Sequence, residues 1–376
     1  MFELTRQQEM LRSMVQEFAN TQIAPRALEL DRKGDFPFDL VKEIGQLGML
    51  GLTTSKEYGG SAMGHLAGII AVEELARVYP SIAFFLEVSQ APMYALEHFG
   101  TQDQKNMYLP PLVGGEKIIC IAATEPSGGS DLGTIHTEAC VTQEGYEING
   151  RKVYITNGGV ADNCLVLAKT GDGASFLMVE KGTPNFIVNR RIEMMGFKAG
   201  DVSELEFCGC RIPKENLIGE EGRGLGVAMT SFIISRPAVG AVGLGIARGA
   251  FEIALKYAKE RVLYGKSISK LQSIQTMLVD METEIEAAKW LIYYPAALLD
   301  QGVNPRNINK FSARAKVVGA EVAANTTIKA MQILGGYGVS PEYHLARLLG
   351  DAVEIFPATG TPQIMKVIQA GEILRS

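Results

Sequence analysis

Three long stretches at helical period, residues 239–261, 273–299 and 307–334, set the terms for how this chain can fold. In each, apolar residues recur three and four positions apart, so they fall on one face of a helix. A helix with one apolar face must bury it against another element. Gly302-Val303-Asn304-Pro305 separates the second stretch from the third, so the helices are expected to reverse direction and pack as a bundle.

The rest of the chain divides in two. Residues 1–112 also read as helices. Thr5 is a candidate cap for a helix over 5–17, with Met10, Leu11, Met14, Val15 and Phe18 on its apolar side. The stretches 66–78 and 81–99 repeat that period, with Gly59-Gly60 and Tyr79-Pro80 as punctuation. Residues 113–220 change character. The segment 146–155 predicts two strands around an Asn149-Gly150 turn. Short buried strands are expected at 164–168 and 175–179, and further strands at 205–208 and 211–213. The expected fold is mainly α with an inserted β domain. Helices occupy 1–112, a small antiparallel β barrel or sandwich 113–220, and a helical bundle 221–376.

Composition narrows the function classes. Of 376 residues, 47% are hydrophobic, ample for a large core and for two or three domains. A net charge of -6 argues against a nucleic-acid surface, which needs clustered Lys and Arg. Five cysteines without zinc spacing read as buried thiols in a reducing compartment, and Cys208 and Cys210 would share one face of a strand. Four scattered histidines give no metal site. The start, Met1-Phe2-Glu3-Leu4-Thr5, carries no basic-then-apolar leader, and Gly and charged residues interrupt the apolar stretches below spanning length. A soluble cytoplasmic protein is expected.

Four ordered motifs carry the chemistry. Thr124-Glu125-Pro126-Ser127-Gly128-Gly129-Ser130-Asp131 is a Gly- and Ser-rich loop whose backbone N–H groups can approach a cofactor closely. Val153-Tyr154-Ile155-Thr156-Asn157-Gly158 follows about two strands later, then Arg261-Val262-Leu263-Tyr264-Gly265 and Gln332-Ile333-Leu334-Gly335-Gly336-Tyr337-Gly338. The set resembles the acyl-CoA dehydrogenases, which carry Thr-Glu-Pro-x-x-Gly-Ser-Asp, Trp-Ile-Thr-Asn, Arg-x-x-Phe-Gly and Gln-Ile-x-Gly-Gly-x-Gly in this order. The first motif here has one extra residue before its Gly-Ser-Asp, and Tyr154 stands where Trp is usual. The resemblance spans essentially the whole chain. It implies an N-terminal helical domain, a middle β domain, a C-terminal four-helix bundle, and FAD as cofactor. It further implies that Thr124, Ser130, Tyr154, Thr156 and Thr361 contact the flavin within one chain. Arg261, Gln272, Gln332, Gly335 and Gly336 would reach the cofactor's pyrophosphate and adenine end from a partner copy, in a homotetramer built as a dimer of dimers. Ser130, Gln90 and Arg236 would contact an acyl-CoA substrate, and an electron-transfer flavoprotein would accept the electrons.

One expected group is missing. The segment Ile355-Phe356-Pro357-Ala358-Thr359-Gly360-Thr361 resembles the family's Tyr-Glu-Gly-Thr loop, and places Thr359 where a glutamate takes the substrate's α-proton. A Thr hydroxyl is not deprotonated near neutral pH, so Thr359 offers a backbone N–H to the thioester carbonyl but no base. Ser235, before Arg236, fills the second position at which family members keep that acid. Glu87, among Phe84, Phe85, Leu86 and Val88, aligns with the floor of the acyl pocket. Desolvation there should raise its pKa and suit it to general base catalysis. Glu354 reads as a surface residue.

A base at the pocket floor faces a carbon beyond the α-position. The expected reaction is a 1,4-type elimination on a cyclic or unsaturated thioester such as cyclohex-1-ene-1-carboxyl-CoA. It resembles the branch of the family, active in anaerobic aromatic degradation, that lacks the loop glutamate. The alternatives are an ordinary short- or medium-chain dehydrogenase using another base, a non-redox desulfinase or lyase on the same fold, and a non-catalytic CoA-binding scaffold.

Overall fold

In the computed structural model, which describes residues 3–375, Thr5 starts the first helix, α1 (Arg6–Phe18). Met1 and Phe2, part of the start read above, lie outside the described residues. The Gln8 amide donates to the Thr5 hydroxyl at 3.3 Å and the Thr5 amide to the Gln8 side chain at 2.9 Å, a reciprocal cap. Leu11, Val15 and Phe18 carry the buried stripe, while Met10 is exposed. Helices α2 (Ala27–Lys33), α3 (Phe38–Gln46), α4 (His65–Val78), α5 (Pro80–Phe99) and α6 (Gln102–Val113) complete the N-terminal part.

The strands follow: β1 (Ile119–Ala122), β2 (Glu138–Val141), β3 (Gly145–Thr156), β4 (Asn163–Thr170), β5 (Gly173–Glu180), β6 (Phe186–Arg191), β7 (Val202–Pro213) and β8 (Leu217–Ile218). The sheet order is β6-β7-β3-β2-β4-β5-β8, with β1 added beside β4. Pairing is antiparallel except where β1 and β2 each run parallel to β4.

The predicted hairpin at Asn149-Gly150 is wrong. These residues sit inside one continuous strand, β3, and the chain reverses at 142–145, between β2 and β3. Asn149 instead serves a bulge: opposite it, Gly209 at φ +71° is the extra residue of β7, and the Asn149 side chain accepts from the Gly209 amide at 2.7 Å. That extra residue breaks the two-residue alternation, so Cys208 is exposed and Cys210 buried rather than sharing a face.

The C-terminal part holds α7 (Gly224–Glu260), the tiny hairpin β9 (Val262–Leu263) and β10 (Lys266–Ser267), α8 (Gln272–Asp300), α9 (Asn309–Leu334), α10 (Leu345–Ile355) and α11 (Pro362–Ile373). The first long helix starts at Gly224, not near 239, because it runs through Pro237. Proline removes one N–H and frees a carbonyl four residues back; Ser312 Oγ on α9 donates to that carbonyl, of Ile233. Contrary to the reading above, α7 is long and apolar enough to cross a membrane; 72% of its most apolar window is buried in the fold. Its faces are taken by α4, α5, α8 and α9. One apolar core runs from these helices to the inner face of the sheet.

Candidate active site

A cavity of about 1190 Å³ lies where the β domain meets the helices. Helix α5 contributes Phe84, Glu87, Val88 and Ala91, spaced three and four apart on one face. The β domain contributes Thr124, Ser130, Tyr154 and Thr156; α7 contributes Ser235 and Arg236; the segment before α11 contributes Thr359, Gly360 and Thr361. Sequence reasoning thus brings together Glu87, Thr359, Thr361, Arg236, Thr124, Ser130, Tyr154 and Thr156.

Gln90 does not join them. It falls off the stripe of α5 that faces the cavity and turns toward α4, its amide 3.3 Å from where a Cβ on Gly68 would stand. Arg261, Gln272, Gln332, Gly335 and Gly336 also stand outside the cavity of their own chain. All five are exposed, and the Arg261 guanidinium lies 6.0 Å from the centre of the Tyr337 ring.

Local structure explains how the β-domain wall is built. Glu125, from the Gly-rich motif, is buried and accepts from Lys152 Nζ at 2.8 Å and from the amides of His136 and Thr137 at 2.6 and 2.9 Å. Burial opposes its charge, but the ammonium and these amides prevail and hold the carboxyl down to about 2. It is a strut for the loop, not a base. Tyr154 sits at a register shift between Lys152 and Ile155 with φ +55°, which turns its ring out of the ladder to line the cavity, 61% exposed.

This wall fits the FAD that the motifs imply. A Cβ on Gly129 would stand 2.9 Å from the Thr124 side chain, so the loop folds this closely only around glycine. Among the described residues the hydroxyls of Thr124, Ser130 and Thr156 have no hydrogen-bond partner, leaving them to a ligand.

The opposite wall carries Glu87 and Arg236. Glu87 is fully buried. Ser235 Oγ donates to its Oε1 at 2.6 Å, and among the described residues Oε2 has no partner. Burial pushes the carboxyl up to about 8, with the Ser235 bond opposing. Arg236, 3% exposed, donates from Nη1 to Asn309 Oδ1 at 2.8 Å, and burial pulls it down to about 10. Thr359 has φ +51°, a strained conformation for a β-branched residue.

Glu354 was misread, and Asp201 and Glu204 went unanticipated. Glu354 is not a surface residue: it lines the cavity, accepts from the Gly196 amide at 2.5 Å, and is raised by burial. The apolar period of α10, with Leu348 and Ile355 buried, was the available signal. Asp201 also lines the cavity, but the Gly159 amide at 2.6 Å and Ser203 Oγ occupy its carboxylate.

Family profiles described as the acyl-CoA dehydrogenase N-terminal, middle and C-terminal domains match residues 5–116, 120–210 and 222–374. The short-chain specific acyl-CoA dehydrogenase of Clostridium acetobutylicum is 41% identical, aligned over 100% of both chains. Cyclohex-1-ene-1-carbonyl-CoA dehydrogenase of Geobacter metallireducens is 37% identical, again over 100% of both. Among solved structures, a chain from the work on the electron transferring flavoprotein of Acidaminococcus fermentans superposes with a TM-score of 0.97 over 100% of both chains, at 37% identity.

Proposed function

Because this chain belongs to the acyl-CoA dehydrogenase family, we propose that it oxidises a cyclic or unsaturated acyl-CoA, with Glu87 in place of the missing loop base. It is a flavin-dependent oxidoreductase with FAD as cofactor. The observation that carries the proposal is Glu87 itself: a fully buried carboxyl in the cavity wall, raised to about 8, with one oxygen held and the other without a partner among the described residues. A base whose pKa lies near the working pH is the effective one.

Thr124, Ser130, Tyr154, Thr156 and Thr361 are the lining residues that would hold FAD. When bound, FAD takes up the hydride. The chain's own residues do the rest. Arg236 and Ser130 border the thioester's path, and the Thr359 amide polarises its carbonyl, so charge spreads along the conjugated system. Glu87 takes a proton from a γ-type or ring carbon while the hydride leaves a second carbon. The substrate loses two hydrogens and gains one C=C bond, as in a 1,4-elimination on cyclohex-1-ene-1-carboxyl-CoA. We further propose that the exposed Arg261, Gln272, Gln332, Gly335 and Gly336 complete the cofactor site of a neighbouring copy in a dimer of dimers. Electron-transfer flavoprotein is the proposed electron acceptor, a choice the likeness to the Acidaminococcus chain supports.

A second reading has one observation in its favour. Glu87 is bonded to Ser235, which stands where some family members carry the α-proton base, so its carboxylate could serve an ordinary short-chain substrate. Anaerobic mixing with a panel of CoA esters separates the two. Bleaching of the bound flavin by cyclohex-1-ene-1-carboxyl-CoA and not by butyryl-CoA supports the first. The reverse supports the second, and no bleaching by any ester defeats both.

A further inference from the structure

We propose that Ser235 is a positioning residue: it holds Glu87 by one oxygen, so that the other is the atom that receives the substrate proton. This rests on the reading of Glu87 as base. The two residues come from different helices, α7 and α5, and both are buried, at 3% and 0% exposure. Two other buried serines of these helices turn back on their own backbone. Ser231 Oγ donates to the Val227 carbonyl at 2.9 Å, and Ser89 Oγ to the Phe85 carbonyl at 2.9 Å. Ser235 instead crosses to the neighbouring helix and spends its single hydrogen on Glu87 Oε1 at 2.6 Å. The bond holds Oε1, while among the described residues the buried Oε2 of this cavity-lining side chain has no protein partner.

Charged groups on the packed elements do not share this task. On α4, Glu73 and Glu74 are engaged by Arg248. On α7, Arg236 is bonded to Asn309. On α10, Asp351 and Glu354 accept from the amides of Phe197 and Gly196. Asp103 and Lys105 of α6 make no bond with Glu87. Among the described residues the specific contact acting on this carboxyl is Ser235, and it favours the charged form against burial. Removing it leaves a buried carboxylate with no hydrogen bond.

The test compares FAD-loaded wild type with Ser235→Ala, Ser235→Thr and Glu87→Gln. kcat and KM are measured across pH with the CoA ester that best reduces the flavin. Infrared difference titration of the carboxyl band lost in Glu87→Gln gives a second readout that needs no turnover. For Ser235→Ala we expect kcat to fall about tenfold at neutral pH, KM to stay within about twofold, and both the acid limb and the carboxyl titration to move up by about one unit. Ser235→Thr, which keeps the hydroxyl, restores the wild-type profile. If Ser235→Ala superposes on wild type in both readouts while Glu87→Gln is inactive, the positioning role is overturned and the base stands. If Glu87→Gln turns over normally, the base reading itself falls, and the proposal with it.

Discussion

Lys316, fully buried on α9, donates from Nζ to the Phe356 carbonyl at 2.6 Å, three residues before Thr359. The bond ties the bundle helix α9 to the segment whose left-handed Thr359 lines the cavity. Lys316→Met should let that segment relax. We expect kcat to fall at least tenfold, an oxyanion-type effect, with a smaller change in KM, read by steady-state kinetics.

The same lysine has a pH signature. Burial first, then the neighbouring Arg236, pulls its ammonium from 10.5 down to about 7. Between those values the unfolded chain binds a proton that the folded chain does not, so this group makes stability rise with pH. The Tm difference between wild type and Lys316→Met should therefore shift in favour of wild type from pH 7 to 10.

Glu87 has the opposite sign. Its folded pKa is raised from 4.5 to about 8, so in that window the folded chain binds the extra proton and stability falls as pH rises. Glu87→Gln should remove that slope and gain on wild type by a few kcal/mol near pH 8 in chemical denaturation. The same variant should lose about 100-fold or more in flavin reduction.

Thr359→Glu restores a carboxylate to the terminal segment. Saturated butyryl-CoA should then bleach the flavin in an anaerobic mixing experiment where wild type does not. Absence of any gain would mean that Thr359 does not occupy the usual base position.

Gly196→Ala strikes the seam between the β domain and α10. The added Cβ would meet the backbone of Gly350 and Asp351 at 2.4 Å, and the Glu354 bond to the Gly196 amide would be lost with the shift. We expect a loss of about 1–3 kcal/mol in denaturant melts, together with a lower FAD-to-protein ratio by absorbance.

Much of the architecture was legible because local chemistry and tertiary packing agree. The Thr5 cap, the α4 and α5 period and the strands β4 and β5 stand where pattern and propensity put them. The misreadings share one cause: a local signal was answered by a distant partner. Asn149-Gly150 has turn chemistry, yet Gly209, sixty residues on, converts it to a bulge. Pro237 looks like a helix stop, yet Ser312 satisfies the carbonyl it frees. At the site, motif positions found the hydroxyls and rings of the β-domain wall. They did not show that Glu354 turns inward, that Gln90 turns away, or that Lys316 pins the terminal segment, since each depends on which face of a helix another element covers.

Phe84 on α5 and Phe197, from the loop before β7, stack at 4.5 Å with planes 3° apart, and both line the cavity. One jaw of the pocket therefore belongs to the N-terminal helices and the other to the sheet. Its calibre is a property of how two separately patterned regions meet. A size change in either ring should retune which acyl groups enter while the proton-handling and flavin-holding groups stay in place, so substrate range can drift along this lineage without rebuilding the catalyst.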